Sequence, residues 1–163
     1  MTKLCFPPVA DERTCVLVLG SLPGEMSLAC AQYYANPRNQ FWRLTEGVIG
    51  AALCGQPYEA RLGTLLDARI GLWDVVRSAT RKGSLDAAIQ DYEPNELSTF
   101  VASHPNLRAI AFNGNKAAQI GQRQLAASSR PTIVILPSSS PAHTMSFDLK
   151  QERWMALKRF LEQ

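Results

Sequence analysis

Cys15-Val16-Leu17-Val18-Leu19 is an unbroken apolar run, followed at once by Gly20-Ser21-Leu22-Pro23-Gly24. So short a run is read as a strand covered on both faces, the habit of parallel sheets, rather than as a helix. Ile70–Val75, Ala109–Phe112 and Thr132–Leu136 have the same character and are expected to be buried strands too. Helical period fills the segments between them. Phe41 to Cys54 sets Phe41, Leu44, Val48 and Ala52 on one face, and Pro94 to Ser103 begins with the proline that suits a first helical turn. A third helix is expected over Asn115 to Ala127. The last is expected to start at Asp148, with Gln151 as capping-box partner and an apolar stripe of Trp154, Leu157 and Leu161. Strands alternating with helices predict an α/β fold of three αβα layers around a central, mostly parallel four-stranded sheet.

The chain of 163 residues suits one domain spanning 1–163, since no repeat, low-complexity tract or linker divides it. No run of about 18 apolar residues spans a membrane, and Met1 to Pro8 lacks the apolar core of a signal peptide, so a soluble cytoplasmic monomer is expected. A net charge of +3 is compatible with a polyanionic partner without demonstrating one. The basic residues are scattered, so contact with DNA would rest on a few placed donors and backbone amides. Cys5, Cys15, Cys30 and Cys54 never come within C-x-x-C distance, which argues against a metal or iron-sulfur centre and for structural thiols.

In parallel α/β sheets a ligand sits beyond the carboxyl ends of the strands. The polar segments of this chain follow its predicted strands. Gly20 to Gly24 lets backbone amides of Ser21 and Leu22 approach a ligand, or is a plain turn; it fits neither G-x-G-x-x-G nor a P-loop. Tyr33-Tyr34-Ala35-Asn36-Pro37-Arg38-Asn39-Gln40-Phe41-Trp42 gathers rings and amides just before a helix. Phe41 is a candidate to stack on a base and Asn39 to position a water; equally, Phe41 is a core residue and Asn39 a helix cap. For Trp42 core packing is the better reading. Asn113 offers a donor and an acceptor together, as reading a base edge requires, or simply belongs to a turn. Ser138, Ser139, Ser140, Pro141, Ala142 and His143 form a rigid polar loop suited to phosphate oxygens, or a serine-rich connection. His104, before Pro105, is expected to be structural. Neither histidine belongs to a Ser-His-Asp order or an H-E-x-x-H run, which leaves protease and zinc-hydrolase chemistry without support.

Together these segments resemble the uracil-DNA glycosylase superfamily, most of all its hypoxanthine-DNA (deoxyinosine) glycosylase branch, with mismatch-specific and thymine-DNA glycosylases next. The resemblance covers Cys15 to the final helix. It rests on Gly20-Ser21-Leu22-Pro23-Gly24 with Ser27, on Pro37-Arg38-Asn39-Gln40-Phe41-Trp42, on Phe112-Asn113-Gly114 and on Ser138-Ser139-Ser140-Pro141-Ala142, in the family's order; Gly83-Ser84-Leu85-Asp86 resembles a further shared stretch. Two positions depart from it: Leu22 stands where the other branches place a catalytic Asn or Asp, and Ser138 where uracil enzymes place a His. The resemblance therefore implies that the catalytic amide is Asn39. It also implies a monofunctional glycosylase that flips a deaminated base, hypoxanthine first, out of DNA. Phe41 would stack on that base, Asn113 with Gly20, Ser21 and Leu22 would hold its edge, and residues 138–143 would grip DNA, with His143 or Met145 as wedge. No metal or organic cofactor is implied. Uracil or mismatched thymine is the alternative base, and a non-catalytic nucleic-acid-binding module the alternative of another class.

Overall fold

The structure, a computed structural model, describes residues 2–125 and 130–162. Its centre is a four-stranded, all-parallel sheet in the order β3-β2-β6-β7, made of β2 (Val16–Gly20), β3 (Ile70–Asp74), β6 (Ala109–Asn113) and β7 (Thr132–Leu136). These are the four apolar runs, displaced by at most a residue. Side chains alternate across this sheet. Val16, Val18, Ile70, Leu72, Ala109 and Ala111 pack on one face against Phe41, Leu44, Val48 and Trp154. Leu17, Leu19, Ile110 and Phe112 pack on the other against Leu97, Phe100, Ala117 and Ile120. The expected αβα layering follows from that alternation. One strand is less enclosed than expected: β7 lies at the edge, and its Thr132 and Ile135 are exposed.

A second sheet was not expected from the sequence. β1 (Thr2–Leu4), β4 (Val76–Thr80) and β5 (Gln90–Pro94) form an antiparallel sheet in the order β1-β4-β5, with irregular register between β4 and β5. Its strands are largely polar and short, so they lack the apolar signal of the central four. Pro94 consequently ends a strand opposite Val76 instead of opening a helix, and α4 runs only over Leu97–Ser103.

The remaining helices are α1 (Glu25–Cys30), α2 (Phe41–Ile49), α3 (Tyr58–Asp67), α5 (Asn115–Leu125), α6 (Phe147–Trp154) and, after a single 3-10 turn, α7 (Lys158–Leu161). The helix expected to reach Ala127 is seen to Leu125, and its last two residues lie outside those described. Helix α2 stops earlier than expected, at Gly50, whose φ of 69° is the left-handed conformation glycine adopts without penalty. The Glu46 carboxylate then takes the backbone N–H groups of Leu53 and Cys54 at 2.7 and 3.0 Å, which turns the chain and leaves Ala52 and Cys54 exposed. Ser146, not Asp148, caps α6: its Oγ accepts from the Leu149 N–H at 3.3 Å. Gln151 instead donates to the Leu44 carbonyl at 3.0 Å, where α2 and α6 come so close that a Cβ on Gly47 would strike the Gln151 side chain.

Candidate active site

One cleft of about 480 Å³ opens at the carboxyl ends of the central strands, the size of a small-ligand site. Gly20, Ser21 and Leu22 from the exit of β2, Asn39 before α2, Asn113 at the end of β6 and the Ser138–His143 loop after β7 all line it. Segments as far apart in the chain as Gly20 and His143 thus meet because parallel strands all end on one side of a sheet. Phe41 and Met145 are the exceptions among the residues given a site role from the sequence.

Phe41 has no exposed surface. Tyr34 lies flat on it, with ring centroids 4.1 Å apart and planes 12° from parallel, while Trp42 and Trp154 meet its edges. Tyr34 therefore lines the cleft where Phe41 was expected to, and Phe41 backs the Tyr34 ring. Tyr34 takes a φ of 53°, a left-handed conformation that costs a non-glycine residue roughly 1–2 kcal/mol. The stack on Phe41 and a hydrogen bond from Asn113 Nδ2 to the Tyr34 hydroxyl at 3.2 Å offset it. Burial, with the charge of Asp74 next, raises the Tyr34 pKa, so the phenol stays neutral.

Asn113 is clamped at both ends of its amide. Its Oδ1 accepts the Ser139 backbone N–H at 2.9 Å, and its Nδ2 donates to Ser139 Oγ at 2.9 Å. A backbone N–H can only donate, so this pairing orients the amide unambiguously. Both Nδ2 hydrogens are engaged, on Ser139 and Tyr34, while Oδ1 has a second lone pair. Ser139, expected on phosphate, is 1% exposed and spends its hydroxyl on Asn113. Burial removes it from any contact with a DNA backbone. Ser138 Oγ and Ser140 Oγ accept from the backbone N–H groups of Ser140 and Ala142, each at 3.1 Å, which stiffens the loop. His143 is exposed at the rim, whereas Met145 is half-buried and outside the cleft wall.

Asn39 lines the cleft and stands one residue before the N-cap of α2, which is Gln40. Its Oδ1 accepts the Phe41 N–H at 3.0 Å, a local turn that leads into the helix. That bond occupies one lone pair of the oxygen and fixes the direction of the other.

Four supporting residues had no role read for them from the sequence, although Asp86 closes the Gly83-Ser84-Leu85-Asp86 stretch of the resemblance. Arg81 is buried and donates to the carbonyls of Gly83, Leu22 and Pro23, tying the 81–86 segment to the loop after β2. Asp86 lines the cleft and accepts from Ser21 Oγ at 2.5 Å. Lys150 on α6 sends a buried ammonium to Gln40 Oε1 at 3.0 Å and to the Ser140 carbonyl at 3.2 Å, and desolvation lowers its pKa. Asp74, at the end of β3, is buried beside Gly20. Lone charged residues carry no periodicity or motif, so only their contacts reveal them. Cys5, Cys15, Cys30 and Cys54 are unpaired, and among the described residues no three His, Cys, Asp or Glu side chains are grouped to hold a metal ion. None of the described helices is long and apolar enough to cross a membrane.

Residues 7–160 match the family model of the uracil DNA glycosylase superfamily. A hypoxanthine DNA glycosylase of Methanosarcina acetivorans is 43% identical over 98% of this chain and 99% of its own length. A protein of the same name from Methanosarcina barkeri is 42% identical over 98% of this chain and all of its own. A solution NMR structure from Methanosarcina acetivorans, described as a uracil DNA glycosylase, superposes with a TM-score of 0.88 at 43% identity over the full length of both chains. The family model covers nearly the whole chain and these relatives match it end to end: the chain belongs to the uracil DNA glycosylase superfamily.

Proposed function

We propose that the cleft receives a deaminated purine, hypoxanthine, flipped from DNA, and that the protein hydrolyses its N-glycosidic bond. The observation that carries this reading is the meeting of a supported ring, Tyr34, with two fixed amides, Asn39 and Asn113, in one cleft. Near full-length likeness to two proteins named hypoxanthine DNA glycosylase supports it.

Flipping costs a few kcal/mol, least for a base that already pairs badly. Stacking on the free face of Tyr34 returns about 1–3 kcal/mol. The second lone pair of Asn113 Oδ1 suits a ring N–H. Hypoxanthine carries a hydrogen on N1 where adenine has a bare acceptor, so this contact favours the deaminated base. Because Ser139 and Tyr34 hold both Nδ2 hydrogens, the amide cannot turn over to accommodate adenine.

Departure of the base leaves an oxocarbenium-like sugar, which needs a placed water more than a strong base. Asn39 Oδ1, held by the Phe41 N–H, has its remaining lone pair free to accept from that water. The exposed residues of the 138–143 loop, Pro141, Ala142 and His143, lie at the rim where the flanking strand would pass. The chemistry calls on no cofactor.

The test is release of free hypoxanthine, with an alkali-labile abasic site, from a deoxyinosine duplex, run beside uracil and thymine-mismatch duplexes. Wild type should act on deoxyinosine fastest. Asn39→Asp, which keeps the bond to the Phe41 N–H, and Asn39→Ala, which loses it at about 1 kcal/mol of stability, should bind the lesion normally, and Asn39→Ala should release no base. Full activity in Asn39→Ala removes the amide from the mechanism.

A further inference from the structure

A carboxyl group that the base-holding and water-placing residues leave unused lies directly behind the cleft. Asp74 closes β3, is 4% exposed, and has an Oδ2 that is buried without any hydrogen-bond partner. Buried polar atoms without partners are rare, and a buried carboxylate with none is rarer. Its register partner on β2 is Gly20, which belongs to the cleft wall. A side chain at position 20 would set its Cβ 2.8 Å from Asp74 Oδ1 and 3.2 Å from the Tyr34 hydroxyl. The missing side chain at Gly20 therefore lets a carboxyl and a phenol close onto the end of β2, at two residues, Gly20 and Tyr34, that line the cleft.

The groups facing Asp74 favour its neutral form. Burial, and after it the charge of Asp86, push the carboxyl up to about 7 against the opposing pull of Arg81. Arg81 forms no ion pair with it and is spent on backbone carbonyls. Burial first, and the charge of Asp74 after it, raise the pKa of Tyr33, Tyr34 and Cys5. Asn95 donates to the Asp74 backbone carbonyl at 2.7 Å and leaves the carboxyl alone.

We infer that Asp74 is a catalytic acid of this enzyme, donating its proton to the departing purine across the side-chain-free face of Gly20; the inference rests on the hypoxanthine release proposed for the cleft. The bond from the sugar carbon to N9 breaks, and its electron pair passes into the purine. The carboxyl proton moves to a ring nitrogen, so the base leaves neutral. Water adds to the sugar carbon, and the proton it gives up returns the carboxylate to its acid form. A purine is a poorer leaving group as an anion than when protonated, so an acid here serves the slow step.

The experiment is single-turnover hypoxanthine release by the full chain at saturating enzyme, from about pH 5.5 to 9, for wild type and Asp74→Asn. Wild type should be level at low pH and fall about tenfold per pH unit above about 7, or higher where the DNA phosphates push the carboxyl further up. Asp74→Asn should be slower by roughly 10²–10⁴ and level throughout, with thermal unfolding and lesion-duplex affinity unchanged or improved. A folded Asp74→Asn that keeps the wild-type rate and profile overturns the inference. If Asn at this position prevents folding, wild type decides alone: a rate level across the range overturns it, and the fall supports it. Absence of hypoxanthine release by wild type at every pH would instead sink the proposed function.

Discussion

Replacing Tyr34 with Ala and, separately, Phe41 with Leu distinguishes the ring that touches the base from the ring that supports it. Tyr34→Ala removes a ring that stacks on Phe41 at 4.1 Å and belongs to a residue lining the cleft. The lost stacking is about 1–3 kcal/mol, which at 1.4 kcal/mol per factor of ten is a drop of roughly 5- to 150-fold in affinity for a deoxyinosine duplex. Stability also falls, by the ring pair at about 0.5–1.5 kcal/mol and the Asn113 hydrogen bond at a similar figure. Phe41→Leu behaves oppositely. Phe41 is fully buried between Tyr34, Trp42 and Trp154, and the partial cavity costs about 1–3 kcal/mol, less than the 3–5 of truncation to alanine. Lesion affinity should change less than threefold or so, because a leucine still backs the Tyr34 ring. Urea unfolding reads the first quantity, and fluorescence anisotropy on deoxyinosine and undamaged duplexes reads the second. If Phe41→Leu lost the preference for the lesion while Tyr34→Ala kept it, the placement of the two rings argued here would be refuted.

Three further outcomes follow from the contacts. Asp74 is pushed from 3.8 to about 7, so the folded state holds its proton more tightly than the unfolded chain does. That stabilisation is present below about pH 4 and is lost as pH rises through about 7; Asp74→Asn should therefore be the more stable protein at pH 8, by up to about 4 kcal/mol, with the gap closing toward pH 4. Equal pH dependence of thermal unfolding in the two proteins would contradict it. Ser139→Ala should leave the salt dependence of binding to undamaged DNA unchanged, because the residue is buried, yet slow base release by freeing the Asn113 amide; a flattened salt slope would put Ser139 on a phosphate after all. Arg81→Met should cost about 2–4 kcal/mol in urea unfolding, as it strands the carbonyls of Leu22, Pro23 and Gly83, and a loss under about 0.5 kcal/mol would mean that water replaces the guanidinium.

The central strands were legible because each is a short apolar run, three of them buried on both faces, a pattern that survives without knowledge of what it packs against. The second sheet was not: Arg77, Ser78 and Gln90 to Glu93 look like loop, and they become strands only because β4 pairs with Thr2–Leu4 on one side and with Gln90–Pro94 on the other. The carboxyl-end segments were legible for a similar reason, since Gly20 to Gly24, Asn113 and the serine loop each follow an apolar run and so must share one rim. Phe41 illustrates the limit. Within Tyr33 to Trp42 the order of the rings does not say which one faces inward, and the left-handed turn at Tyr34 that settles it leaves no periodic trace.

The amino-acid order by itself determined the layered fold, the rim on which a ligand sits and the amides available there, because burial patterns and strand direction are properties of short segments. Tertiary structure alone decided which ring shows its face, which serine is hidden, and that Asp74 stands behind Gly20 with an unpartnered oxygen. Those facts depend on distances between residues remote in the chain, and on the dielectric surroundings created only when the segments close around them.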